Sequence, residues 1–158
     1  MFDPAEAPRF VDCRPVPAQQ AGGDGWFTWN VGDDTRFNGA TLGELWVRQE
    51  GERVRLRMQT EQRHTNLQDM VHGAITLALI DVSLFAGMHI LGEGESGFAV
   101  TLELSTQFVG PGKSGEPLDA VVEIVRETGR LMFLRGDVEQ AGPGGTHRVA
   151  AFSGIVRK

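Results

Sequence analysis

One uninterrupted run, MVHGAITLALIDVSLFAGMHIL (70–91), limits what this chain can fold into more than any other feature. It is too long for a strand and apolar on nearly every side. A helix of that composition must bury most of its surface. Either a bilayer or a protein core can bury it. Asp81 in mid-segment, His72 and His89 within it, no flanking lysine or arginine cluster, and strand-like sequence on both sides point to the core.

The flanks read as strands. Leu45 and Val47 alternate with polar residues, and Glu50-Gly51-Glu52 makes a turn. Val54, Leu56 and Met58 alternate with Arg53, Arg55 and Arg57, which gives one apolar and one basic face. The arginine stripe is read as a solvent face or as a source of cations for an anionic ligand. After the helix, Phe98, Val100, Leu102, Leu104 and Phe108 share one parity, and Ala99, Thr101, Glu103, Ser105 and Gln107 share the other. This strand ends at Gly110-Pro111-Gly112. Three more strands follow, at 118–126, 131–139 and 147–156, joined by Glu127-Thr128-Gly129-Arg130 and by the glycine-rich turn at 141–145. Turns this short imply antiparallel hairpins. The expected class is α+β, one antiparallel β-sheet wrapped around one long central α-helix.

A chain of 158 residues suits one domain. Residues 1–25 hold four of the seven prolines and end in AGGDG, so they read as a loosely ordered arm before a single domain at 26–158. Trp26, Phe27, Trp29 and Phe37 either cover one end of the core or form an aromatic wall for an apolar ligand. Twenty-one glycines are about twice the usual share. Most fall in turns, and Gly87 is expected to let the helix approach a strand or a twin helix closely.

Several function classes are excluded. The net charge of −6 leaves no cation excess for nucleic acid. Cys13 is the single cysteine, which fits a reducing, cytoplasmic setting and has no histidine near it in sequence. The N-terminus has no basic start followed by an apolar run, so no secretory signal is expected. His64, His72, His89 and His147 show no metal-ligand spacing. The sequence GPGKS (110–114) lacks the earlier glycine of a phosphate-binding loop, since position 107 is Gln, and a strand follows it. No G-x-S-x-G elbow is present.

The candidate chemistry lies on the helix. Asp81 is a carboxylate among Leu77, Ala78, Leu84 and Phe85, its neighbours three and four residues away. It is either held by hydrogen bonds from another element or functional. At the helix start, His72-Gly73 places free backbone N–H groups where an oxyanion can be stabilised. Nine residues separate His72 from Asp81, roughly 13 Å along the axis and about half a turn around it. Two antiparallel copies side by side would bring Asp81 of one chain near Gly73 of the other, which predicts a site at a dimer interface.

Asn66, His72-Gly73 and Asp81 in such a helix resemble the hotdog-fold thioesterases, closest to the family of the phenylacetic-acid-degradation (PaaI-like) thioesterase. Its signature is N-x-x-G-x-x-H-G-G with an acid nine residues after the His, followed by a strand like VTLELSTQFVGPG (100–112). The resemblance spans about residues 40–157 and implies a homo-oligomeric acyl-CoA thioesterase, commonly a dimer of dimers. It implies Asp81 as general base or nucleophile and the Gly73 N–H as oxyanion hole. It also implies that His72 supports that loop, that Asn66 orients substrate or water, and that Thr101 assists the water. Coenzyme A enters as part of the substrate, with no metal or separate cofactor, no nucleic acid and no membrane. Lys113 is a candidate contact for a CoA phosphate. Two positions depart from the signature: Ala74 replaces the last glycine of H-G-G, and Asp69 replaces the glycine three before the histidine. Asp69 either lies exposed near the helix N-terminus or points inward and opposes an oxyanion. A non-catalytic acyl-CoA-binding module is the alternative. A hotdog dehydratase is a third reading, weakly imitated by Asp69 and His72.

Overall fold

The computed structural model describes residues 1–93 and 99–158, so Phe98, expected in the strand after the helix, lies outside the described residues. The elements in chain order are β1 (Val11–Asp12), the one-turn α1 (Ala18–Ala21), β2 (Phe27–Thr28), β3 (Asn30–Val31), β4 (Leu45–Glu50) and β5 (Arg53–Gln59). The long helix α2 (Gly73–Leu91) follows, then β6 (Val100–Phe108), β7 (Pro117–Glu127), β8 (Leu131–Gly142) and β9 (Gly145–Arg157). Seven strands form one antiparallel sheet in the order β2-β4-β5-β7-β8-β9-β6. Strand β5 pairs with β7, so α2 and β6 cross over the sheet between them.

Helix α2 touches β5, β6, β7, β8 and β9, which only a curled sheet permits. Leu79, Ile80, Leu84 and Met88 of the helix share one core with Val54, Leu56, Met58, Leu118, Val122 and Leu134. The helix is apolar and long enough to cross a membrane, yet here the sheet buries it along one side. At Gly87 the helix packs closely against the strands. A Cβ there would lie 2.9 Å from Val122 Cγ1. Along its less covered side, Ala74 and Leu77 are exposed and Ala78, Asp81 and Phe85 keep partial exposure.

The first 25 residues, expected to be a loosely ordered arm, lie against the domain. Val11 pairs with Val31, and Phe2 packs edge-on against Phe27 and Trp29. On the other side, Val16, Ala21 and Trp26 form a separate cluster with Trp46. The expected basic solvent face on β5 is corrected at Arg55 and Arg57, while Arg53 is exposed. Arg57 makes a two-pronged ion pair to Asp119, at 2.7 Å from each nitrogen, and Arg55 donates to Asp119, Glu139 and Glu50. The guanidinium groups of Arg48 and Arg57 lie over the Trp26 ring, 4.6 and 4.4 Å from its centroid. Register is the reason. β7 sets Asp119 opposite Arg57 and β8 sets Glu139 opposite Asp119, so these cations meet internal partners. Burial works against the Arg55 charge, but the bonds to Glu50 and Glu139 and the field of Asp119 hold it above its usual range.

Strand β6 departs from simple alternation. A bulge between Thr101 and Glu103 reverses its parity. Thr101 therefore faces the helix instead of sharing the outward face with Glu103 and Gln107. Leu104 faces inward beyond the bulge, whereas Val100, Leu102 and Phe108 are exposed along an open sheet edge.

Candidate active site

The segment before α2 is fixed by backbone and side-chain bonds. Val71 N–H donates to Gly112 O and His72 N–H to His64 O, at 2.8 Å each. His64 is buried, with Nδ1 accepting from the Glu61 N–H and Nε2 meeting Thr41 O at 2.8 Å. His72 is the N-cap, and its Nδ1 accepts from Ala74 N–H at 3.0 Å. Gly73 is then the first helical residue. The Phe108 ring lies over it, 3.4 Å from where a Cβ would stand. A side chain at 73 would crowd this approach to the backbone.

Asn66 acts within this loop. Its Oδ1 accepts from Gln68 N–H at 2.9 Å and Met70 N–H at 3.3 Å. Asp69 is exposed at φ 57°, the left-handed region that favours glycine. That conformation explains why a glycine suits this place in the signature, and why aspartate, which tolerates it, can replace one. Asp69 thus lies exposed near the helix N-terminus and does not point inward.

Asp81 is half-buried on α2, and Thr101 Oγ1 donates to its Oδ1 at 2.7 Å. The bulge in β6 makes this bond possible. The carboxylate borders a cavity of about 320 Å³ whose other walls include Phe10, Trp29, Val31, Phe85 and His89. Burial pushes the His89 imidazole below its ordinary range. Of the aromatic residues noted in the sequence, Trp29 and Phe85 reach this cavity. Trp26 lies on the outer sheet face, and Phe37 is exposed. Sequence reasoning missed Phe10 and Val31, which nothing local marks as neighbours of Asp81, and His89, which the spacing 81, 85, 89 along the helix could have found.

Asp81 and Gly73 stand eight residues apart on one continuous helix, about 12 Å along its axis. One chain does not bring them together. Lys113 is exposed beside the helix start, bridged to Met70 through the backbone. The buried Gln140 accepts from its N–H at 2.7 Å and donates to its carbonyl at 2.9 Å. The Cys13 thiol is pushed up to about 11, first by burial and then by Asp12, so it is a poor nucleophile at neutral pH.

With this geometry in view, residues 68–146, half of the chain, match the thioesterase superfamily. The chain belongs to that superfamily. Its fold is the hotdog fold. Zebrafish thioesterase superfamily member 2 is similar at 20% identity, covering 75% of this chain and 84% of that one, with a TM-score of 0.63. A mutant of the phenylacetic acid degradation protein PaaI from Thermus thermophilus is similar at 23% identity, over 72% and 92%, with a TM-score of 0.60. A thioesterase from Haemophilus influenzae is similar at 15% identity, over 75% and 79%, with a TM-score of 0.64. No curated protein matches the sequence. The match begins just before the helix start and contains Gly73, Asp81 and Thr101, whereas Phe10, Trp29 and Val31 fall outside it.

Proposed function

We propose that this chain hydrolyses acyl-CoA thioesters. The observation that carries the reading is a carboxylate, Asp81, oriented by Thr101 at the edge of an apolar cavity. Thiolate is a good leaving group, so one oriented carboxylate and one oxyanion site can serve. As general base, Asp81 takes a proton from water, whose oxygen adds to the thioester carbonyl. The oxyanion is held by the Gly73 N–H of a second copy. Collapse breaks the C–S bond and releases the acid, and the CoA thiolate takes up a proton. As nucleophile, the Asp81 carboxylate instead adds to the carbonyl and expels the CoA thiolate, which takes up a proton, and water then opens the resulting anhydride to release the acid and restore Asp81. His72 and Asn66 would act by fixing the loop that presents Gly73.

The second copy is part of the proposal. The exposed stripe of α2, with Leu77 at 38% exposure, and the open β6 edge with Val100, Leu102 and Phe108 support pairing by a two-fold axis. We place the protein in the cytoplasm as a dimer or dimer of dimers, with Lys113 near the CoA phosphates and no metal or separate cofactor. A non-catalytic acyl-CoA binder is the second reading. It is favoured by the Ala74 N–H, which His72 already occupies, leaving Gly73 as the oxyanion donor.

The test is thiol release from a panel of alkyl- and aryl-CoA esters by wild type and Asp81→Asn. Hydrolysis lost in Asp81→Asn supports the enzyme reading. Binding of esters by wild type without hydrolysis selects the binder. Full activity in a monomer rejects the shared site.

A further inference from the structure

We infer that the N-terminal arm, together with the strand it pairs with, sets the size of the acyl group: Phe10 of the arm and Trp29 and Val31 behind it close the cavity beside Asp81 so that it takes an apolar acyl group of roughly ten non-hydrogen atoms and rejects long chains. The inference rests on the acyl-thioester reading for its ligand class. It does not depend on the ester being hydrolysed.

Asp81, Phe85 and His89 recur every fourth residue on one face of α2, so the cavity runs about 12 Å along the helix from the carboxylate. Its far end is closed by ring contacts. Phe10 meets His89 at 5.9 Å and Trp29 meets it at 6.5 Å. The opposing wall is Val31, held in place by pairing with Val11 of the arm. At the ~30 Å³ that a water-sized group occupies in a liquid, about 320 Å³ holds roughly ten non-hydrogen atoms. An octanoyl or arylacetyl group fits that count, and a hexadecanoyl group far exceeds it. Phe10 belongs to the arm and Trp29 and Val31 to the segment just after it, and all three lie outside the stretch that matches the superfamily.

Phe10 is 57% exposed, so truncating it opens the cavity end without removing a core residue. Straight-chain acyl-CoA esters from butanoyl to hexadecanoyl are titrated calorimetrically into Asp81→Asn, with and without Phe10→Ala. With the arm intact, affinity should peak near octanoyl and fall by about ten-fold or more for hexadecanoyl. Phe10→Ala should strengthen dodecanoyl binding about ten-fold, the worth of two further buried methylenes, and leave butanoyl unchanged. Val31→Phe, which fills the cavity, should move the peak to shorter chains. A length profile that neither variant moves, or tightest binding of hexadecanoyl with the arm intact, overturns the inference. So does a failure of every ester to bind. Thiol release by wild type is followed in parallel. A moving binding profile without hydrolysis refutes the enzyme reading and keeps this one. Hydrolysis with an immobile profile does the reverse.

Discussion

Thr101→Val tests the bond on which the proposed chemistry turns. Valine keeps the branched shape that strand β6 accommodates and deletes only the hydroxyl that donates to Asp81 at 2.7 Å. A hydrogen bond to a charged group contributes about 1.5–3 kcal/mol. Asp81 is only half-buried, and water replaces part of the loss, so the lower end of that range applies. At about 1.4 kcal/mol per decade, kcat should fall roughly 10- to 30-fold. KM should stay within about two-fold, because the bond orients the base and does not hold the acyl group. Thr101→Ser should restore most of the rate. The assay is thiol release at saturating ester, with a thermal melt of each variant beside it. Thr101→Val at the wild-type kcat, with Asp81→Asn inactive, would refute the orienting role. So would a loss of rate matched by a collapse of the melting temperature.

Other outcomes follow from the packing and the charges. Gly87→Ala gains about 1 kcal/mol of helix propensity but drives a methyl group to 2.9 Å from Val122, for a net loss of about 1–2 kcal/mol on denaturant titration. Asp119→Ala removes the carboxylate that Arg57 grips at both nitrogens, while Arg55 keeps Glu50 and Glu139. With partial exposure and the Trp26 contact softening the loss, about 2–3 kcal/mol should go, or roughly 4–12 °C in Tm by calorimetry. His89 has a folded pKa below its ordinary value, so the unfolded chain binds the proton more readily. Stability should therefore fall as pH drops below about 6.5, until the folded imidazole also protonates. His89→Leu should flatten that stretch of a stability–pH curve, and an unchanged slope would contradict the burial of the ring.

The sequence by itself determined the central helix, because so many apolar residues in a row have to be enclosed, and the hairpins of β4–β5, β7–β8 and β8–β9, because short turns leave no other pairing. It also carried Asp81, Gly73 and the loop before them, since helix spacing and glycine placement are local properties. The bulge at Thr101 was not legible. Two residues opposite one is a relation between β6 and β9, and the local alternation pointed the wrong way. Cross-strand register likewise decided that Arg55 and Arg57 meet Asp119 and Glu139, which lie over sixty residues away in the chain. The arm needed the whole fold. Its prolines and glycines describe flexibility in isolation, but Val11, Val16 and Ala21 become buried once the sheet offers apolar surface on both of its sides. Local chemistry named the groups proposed to react. Long-range packing decided which walls stand around them, because those walls are built from segments that meet only after the sheet has curled.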